Sequence, residues 1–295
     1  KSTVIIAGTC TGFVSNRIIR DVEFDYVIVD EAAKATFPEL AVSLNKAHKI
    51  ILVGDHQQLP PVLDTEIIRN NKEKLDEEGL AQGIFERMYN MFPEDNKHRL
   101  TIQYRMHPTI GTLISHVFYN DEIQNGVEAQ DRELCIEGYE GIAIEWISTS
   151  KYSTKERYEK EFDNNGKKSY QNYLERNIIE RKLLELDSKL VKRTKVAVIT
   201  GYGSQKYILQ TMVKQHSFKH IEVDVDTVDA FQGSQKDIIL YSTVRSSGNK
   251  YGIGFLKSEA RINVAFSRAR CLLIIVGDMK FLDNYKIRGN KFPEI

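Results

Sequence analysis

The sequence Val27-Ile28-Val29-Asp30-Glu31 is a short run of β-branched residues that ends in two acidic residues. Such a run predicts a buried strand of a parallel sheet, because strands covered on both faces are apolar along their whole length. A second run, Ile50–Val53, is followed by Gly54-Asp55 and repeats the arrangement. Open α/β sheets bind ligands at the carboxyl ends of their strands, so we expect a ligand site where these two runs end.

The rest of the chain alternates between β-branched apolar runs and amphipathic stretches, which predicts an α/β fold with mainly parallel sheets. The predicted strands are Thr3–Ala7, Tyr26–Val29, Lys49–Val53, Arg99–Ile102, Gly141–Ile147, Lys195–Ile199, Glu222–Thr227, Ile238–Thr243 and Leu272–Val276. Apolar residues three and four apart predict helices over Phe37–Leu44, Gly79–Met91, Thr109–Phe118, Tyr170–Leu190, Ser204–His216 and Glu259–Ser267. Two polar segments, Asp64–Glu78 and Ser148–Ser169, are predicted to be exposed connections.

Length and composition indicate a globular chain of two domains. The chain has 295 residues, of which 41% are hydrophobic and 28% are charged. Its apolar runs are far shorter than the roughly 20 residues of a membrane span, so no membrane partner is expected. A domain boundary is expected near Pro93–Lys97, which divides the chain into residues 1–95 and 96–295. The three cysteines stand far apart, which fits a reducing compartment, and we expect the cytoplasm.

Charge is distributed unevenly along the chain, although its total is zero. Residues 1–150 have 14 basic and 24 acidic side chains, a net charge of −10, whereas residues 151–295 have 27 and 17, a net charge of +10. A positive half is suited to neutralise the phosphates of a nucleic acid. In this half Tyr152, Tyr158, Tyr170 and Tyr173 either stack on single-stranded bases or lie on a solvated face.

Several polar residues follow predicted strands. Asp30 is placed to hold Mg²⁺ through water and Glu31 to activate a water for attack on a γ-phosphate, or both acids only favour a following helix N-terminus. Gln58 can hydrogen-bond a phosphate oxygen, or it belongs to a turn stiffened by prolines. Arg105 can neutralise phosphate charge or pair with an acidic neighbour.

Five motifs occur in a fixed order along the chain. They are Asp30–Ala33, Gly54–Pro61, Gln103–Pro108, Val228–Asp237 and Asn263–Arg270. In this order they resemble motifs II, III, IV, V and VI of superfamily 1 helicases, in the branch that includes the nonsense-mediated-decay helicase and senataxin. The resemblance covers nearly the whole chain. It implies two RecA-like (P-loop NTPase) domains with mainly parallel sheets, the first of them incomplete at its N-terminus.

The resemblance also implies roles for single residues. Asp30 would hold Mg²⁺ through water, Glu31 would be the general base, and Gln58 would sense the γ-phosphate of ATP. Arg105 and Arg268 would reach the γ-phosphate from the second domain. The other residues implied at the two sites are Gly233 and Gln235 for the nucleotide, and Thr9, Thr11, Thr200 and Val228 for the nucleic acid.

The implied function is an ATP-dependent helicase or translocase that moves 5′ to 3′ on single-stranded DNA or RNA, accompanied by further domains of the same protein. The chain departs from the family in three features. It has no Gly-x-x-x-x-Gly-Lys-Ser/Thr loop, which we expect to precede Lys1, so these residues alone are expected to hydrolyse ATP poorly. Gln235 stands where the family usually has Glu, and Gly201 where it commonly has Pro. The alternative is a non-catalytic nucleic-acid-binding module on a helicase scaffold.

Overall fold

The computed structural model describes residues 5–17, 19, 21–61, 83–164, 167–247, 252–285 and 290–295, so the predicted connection Asp64–Glu78 lies outside the described residues. The chain forms two compact units, Lys1–Arg99 and Leu100–Ile295. The described helices are α1 (Cys10–Ser15), α2 (Phe37–Leu44), α3 (Ile84–Met91), α4 (Pro108–Tyr119), α5 (Thr154–Arg157), α6 (Tyr173–Lys189), α7 (Gly203–Val213), α8 (Val228–Phe231), α9 (Glu259–Phe266) and α10 (Met279–Asn284). The described strands are β1 (Phe24–Val29), β2 (Ala47–Leu52), β3 (Ile102–Gln103), β4 (Gln124–Asn125), β5 (Ile144–Ser148), β6 (Lys160–Asn164), β7 (Lys167–Gln171), β8 (Thr194–Thr200), β9 (Ile221–Thr227), β10 (Lys236–Ser242) and β11 (Ala269–Gly277).

The first unit contains a parallel pair of strands, β1 and β2. Val29 at the end of β1 packs with Leu40 of α2 and Phe85 of α3 in a small apolar cluster. Helix α2 begins with a capping box, in which the Thr36 backbone N–H donates to Glu39 Oε2 at 2.8 Å. These contacts fix the carboxyl end of β1, where the predicted site residues follow.

Residues 5–7 do not form the predicted strand. The prediction covered Thr3–Ala7, of which residues 3 and 4 lie outside the described residues, and residues 5–7 are in no strand. The Ile5 side chain is 83% exposed. Because β propensity reflects packing against a sheet surface, an apolar run without such packing has little reason to become a strand.

The second unit is built on a five-stranded sheet in the order β5-β11-β10-β8-β9. All neighbouring strands in it pair in parallel, which confirms the predicted α/β class. In the three central strands Val196, Leu240 and Ile274 are fully buried. Each of them lies in an apolar run in the middle of its strand, as expected where a parallel sheet is covered on both faces. Leu183 of α6 packs into the same core.

The predicted exposed connection Ser148–Ser169 is mostly exposed, but the prediction is wrong in giving it no regular structure. Strands β6 and β7 form an antiparallel hairpin there, with Phe162 opposite Ser169. Tyr170, predicted as the first residue of a helix, lies in β7 and is buried, with the Arg245 guanidinium carbon 4.0 Å from its ring centroid. Glu159 and Arg245 form an ion pair at 3.2 Å, and both side chains are fully buried. Arg245 lies far along the chain, so the local sequence gives no sign of this burial.

Two predicted elements are shorter than expected. The strand over Arg99–Ile102 is the two-residue β3, which pairs with β4. The helix expected from Gly79 includes residues outside the described part, and its described portion begins at Ile84 after Gly83, whose φ is +74°. Within the ranges that the structure describes, no helix is both long and apolar enough to cross a membrane.

Candidate functional site

In the first unit, β1 and β2 end side by side, and the acidic and amide residues predicted for the nucleotide follow them. Val53 N donates to Val29 O at 2.8 Å, and Ala32 N donates to Val53 O at 2.8 Å. These bonds hold the turn Asp30-Glu31 beside the loop 55–58. The structure therefore brings Asp30, Glu31 and Gln58 to one edge of this sheet.

Glu31 has a left-handed backbone conformation, with φ 54° and ψ 34°. Its N–H donates to Asp30 Oδ1 at 2.9 Å. For a residue other than glycine this conformation costs about 1–3 kcal/mol, and such strain is concentrated at functional sites. Both residues are exposed, so their carboxylate oxygens are accessible to a hard cation or a water.

The loop after β2 is ordered by Asp55, which was not among the predicted site residues. Gln58 Nε2 donates to Asp55 Oδ2 at 2.8 Å, and Gln57 N donates to Asp55 Oδ1 at 2.9 Å. Asp55 thereby orients the half-buried Gln58 amide. The position of Asp55 in the sequence could have indicated this role, because an Asp that opens a polar loop commonly accepts hydrogen bonds from residues two and three positions later.

Gly54 is required for the close approach of the two turns. A Cβ at this position would lie 2.8 Å from Ala33 N and 3.1 Å from the Phe85 ring. Because a backbone atom cannot move aside, Gly54→Ala should destabilise the first unit by about 1–3 kcal/mol. The measurement is urea unfolding, with Gly203→Ala as control because a Cβ there meets no atom within 4 Å. Equal stability of the two variants would contradict this account of Gly54.

In the second unit, the two predicted arginines are hydrogen bonded to the same residue. Arg105 Nη1 donates to Ser267 O at 3.2 Å, and Arg268 Nη2 donates to Ser267 Oγ at 3.2 Å. Arg268 is 2% exposed, and its Nε donates to Val264 O at 3.1 Å. The structure thus places Arg105 and Arg268 together, at the amino end of β11.

The loop that contains Gly233 and Gln235 opens beside this pair of arginines. Gly233 has a φ of +81° and no atom within 4 Å of where a Cβ would stand. Its conformation favours glycine, and its open surroundings leave room for a ligand to approach the backbone. Gln235 is exposed, and the next residue, Lys236, donates its N–H to Arg268 O at 3.1 Å.

The residues predicted to contact nucleic acid lie in two different environments. Thr200 and Val228 lie at the carboxyl ends of β8 and β9, and both are fully buried. Their contact with nucleic acid therefore stays a prediction. In this conformation the buried side chains cannot make it, and backbone atoms or neighbouring residues would have to. In the first unit Thr9 caps α1, accepting from Gly12 N at 3.1 Å, and Thr11 is exposed.

A buried polar network at the carboxyl edge of the second sheet was not predicted. Glu175 is fully buried and accepts hydrogen bonds from Ser242 Oγ at 2.6 Å and Val244 N at 2.9 Å. Val244 has a φ of +68°, so Glu175 holds a strained turn.

Burial raises the pKa of Glu175 to about 8, because its effect is larger than the lowering caused by these hydrogen bonds. In the sequence, Asn172 could have indicated where α6 begins, because its side chain caps that helix and accepts from Glu175 N at 3.1 Å.

The raised pKa of Glu175 predicts a pH-dependent stability. The pKa of Glu175 is about 8 in the folded protein against 4.5 for an ordinary carboxyl, so the stability contributed by its proton is fully present below pH 4.5 and is lost as pH rises through 8. The slope should approach about 1.4 kcal/mol per pH unit. Urea unfolding from pH 5 to 8 should show this slope in the wild type and in Glu222→Gln, whose side chain is exposed, but not in Glu175→Gln. A slope that survives in Glu175→Gln would assign it to other groups.

Comparisons with known proteins agree with the motif order. A profile of a family described as AAA domain matches residues 80–280, and another of the same description matches residues 1–66. The chain is 35% identical over 285 residues to the regulator of nonsense transcripts 1 homolog of Drosophila melanogaster, covering 94% of this chain and 23% of that protein. It is 35% identical over 283 residues to the ATP-dependent helicase NAM7 of Saccharomyces cerevisiae, covering 94% and 28%. An uncharacterized ATP-dependent helicase of Methanocaldococcus jannaschii is 31% identical over 304 residues, covering 97% and 40%. The chain spans about a quarter of the length of the first relatives.

Proposed function

Because the chain belongs to the AAA domain family found in superfamily 1 helicases of the nonsense-transcript-regulator type, we propose that it is the ATP-hydrolysing and strand-binding part of a helicase or translocase. The observation that carries the proposal is the pair Arg105 and Arg268, both hydrogen bonded to Ser267. Two guanidinium groups held on one residue attract a compact polyanion such as the γ-phosphate of ATP.

The first unit contributes the acid, base and amide groups of the reaction. Asp30 would hold Mg²⁺ through water, and the ion would neutralise charge on the phosphates. Glu31 accepts the proton of the attacking water, and Gln58 donates to a γ-phosphate oxygen. Within the described residues no group of three or more His, Cys, Asp or Glu side chains could hold a metal. The single exposed carboxylate of Asp30 nevertheless fits Mg²⁺, because this ion keeps several waters and binds through one or two carboxylates together with phosphates.

The second unit contributes positive charge to the same reaction. As the bond to the γ-phosphate breaks, charge spreads over its oxygens, and Arg105 and Arg268 stabilise that charge. Gly233 gives the nucleotide access to the backbone, and the exposed Gln235 offers a neutral hydrogen-bonding group where the family usually has a carboxylate. The two arginines therefore accelerate hydrolysis, and Gln235 contributes to nucleotide binding.

The second substrate is single-stranded DNA or RNA, bound through its phosphates and followed 5′ to 3′. Support comes from the net charge of +10 over residues 151–295. The three cysteines are free, which supports action in the reducing cytoplasm. That further domains accompany these in one protein remains a prediction.

The test measures ATP hydrolysis and unwinding by the full-length gene product, because these 295 residues contain no Gly-x-x-x-x-Gly-Lys-Ser/Thr loop. Hydrolysis that rises on adding single-stranded RNA or DNA, together with unwinding of a duplex with a 5′ overhang, is the expected result. Tight strand binding with no hydrolysis would instead favour the non-catalytic binding module. The 295-residue chain, measured in parallel, should bind a strand and hydrolyse ATP poorly.

A further inference from the structure

We propose that Arg132 is a positioning residue, which fixes the direction in which the Arg105 side chain leaves the backbone. The inference rests on the proposed role of Arg105 and extends it to a residue outside all five motifs. Arg132 ends a short 3₁₀ helix, Ala129–Arg132, and is half-buried.

The guanidinium of Arg132 binds the carbonyl oxygens on both sides of the Arg105 Cα. Its Nε donates to Arg105 O at 2.8 Å, and its Nη2 donates to Tyr104 O at 2.7 Å. Its Nη1 donates to Asp131 O at 2.9 Å, within its own turn. All three nitrogens of the guanidinium are therefore engaged by backbone carbonyls.

The amide groups of the same two peptides are held from the other side by Gln103. Its Oε1 accepts from Arg105 N at 2.8 Å and from Met106 N at 2.8 Å. Its Nε2 donates to Asn125 Oδ1 at 2.7 Å, which fixes the amide itself. Both peptide planes that flank Arg105 thus have their N–H and C=O groups held.

Fixing these two planes fixes φ and ψ of Arg105, and with them the direction of its Cα–Cβ bond. The Arg105 side chain then reaches Ser267 O at 3.2 Å, beside Arg268. Without Arg132, the carbonyls of Tyr104 and Arg105 lose its hydrogen bonds, and the two peptides are held only from the side of Gln103. A shift of the Arg105 guanidinium by about 1 Å is enough to reduce a reaction rate about 10²-fold.

The chemistry of this contact requires an arginine. Among the described residues no carboxylate lies within ion-pair distance of Arg132, so its charge is not explained by an acidic partner. A planar guanidinium donates to neighbouring carbonyls at once, whereas a lysine ammonium has a single nitrogen. The function of Arg132 therefore depends on the planar, forked shape of its guanidinium.

The test is a double-mutant cycle on ATP hydrolysis by the full-length protein. Arg132→Met should lower kcat by about 10- to 100-fold, and the KM for ATP should change by less than about threefold. In an Arg105→Ala background the same change should alter kcat by less than about twofold, because there is no side chain left to position. Arg132→Lys, which keeps the charge and the aliphatic stem, should recover only part of the loss.

The matched control is Arg176→Met, because Arg176 is also half-buried but pairs with Glu180 on the surface of α6 at 2.7 Å. It should keep the wild-type kcat. Circular dichroism and the melting temperature show whether each variant folds, and Arg132→Lys replaces Arg132→Met if the latter does not. Wild-type kcat in Arg132→Met, or an equal loss in the Arg105→Ala background, would overturn the positioning role alone. Unchanged hydrolysis in Arg105→Ala itself would overturn the proposed function of Arg105 together with it.

Discussion

Replacing Arg268 with alanine is expected to lower the kcat of strand-stimulated ATP hydrolysis by about 10³–10⁵-fold. Arg268 is 2% exposed and is held by Val264 O and Ser267 Oγ, so its charge is fixed before the reaction begins. A preorganised charge in a site that excludes water stabilises a developing negative charge far more than a mobile one does. Among the changes suggested by this structure, this one should have the largest effect.

Two further variants separate lost chemistry from lost folding. Arg268→Lys keeps the charge but not the planar fork, so its kcat should fall between those of the wild type and Arg268→Ala. Arg193→Ala is the control, because the Arg193 side chain is 77% exposed. Steady-state hydrolysis and thermal melting are measured on all three variants. A folded Arg268→Ala with kcat within about tenfold of the wild type would contradict the assigned role.

Glu31→Gln is expected to lower kcat by about 10²–10⁴-fold and to leave ATP binding unchanged. The amide has nearly the shape of the carboxylate but cannot accept the proton of the attacking water. Binding is measured with a fluorescent nucleotide and turnover by phosphate release. Asp25→Asn is the matched control, because Asp25 is also exposed and lies near the amino end of β1, the strand that precedes Glu31.

A second substitution tests the strain at Glu31. Glu31→Gly should abolish turnover in the same way but raise the stability of the first unit by about 1–2 kcal/mol, because glycine adopts the left-handed conformation freely. Parallel loss of ATP binding and turnover in Glu31→Gln would instead assign Glu31 a structural role.

Much of the fold was predictable because the sheet of the second unit is buried on both faces. Strands β8, β10 and β11 each contain an apolar run of four or more residues. The predicted strands overlap them, although the predicted Ile238–Thr243 extends one residue beyond the end of β10. The hairpin β6–β7 was missed because half of its ten strand residues are charged and few are apolar. What holds it is burial of Tyr170 against Arg245, a partner that the fold brings from far along the chain. Periodicity carries no information about contacts of this kind.

The site was predictable to the extent that its residues stand next to strand ends in the sequence. Arg105 and Arg268 were expected to act together, and the structure joins them through Ser267. The supporting residues were not predicted. Glu175 reads locally as part of a helix cap, and Arg132 as a surface charge, and their partners are set only by the tertiary structure. Their roles depend on distances between elements rather than on spacing within one.

The order of strands in the second unit has a consequence for synthesis on the ribosome. Among the strands that the structure describes, β5 pairs only with β11, and Ile144 lies opposite Leu273. At about 5–20 residues per second, β5 leaves the ribosome roughly ten seconds before its partner is made. During that interval its apolar residues and unpaired backbone are exposed to chaperones and to neighbouring chains. Synthesis of β11 therefore completes this five-stranded sheet, and chains interrupted before Ala269 should be those most prone to aggregate.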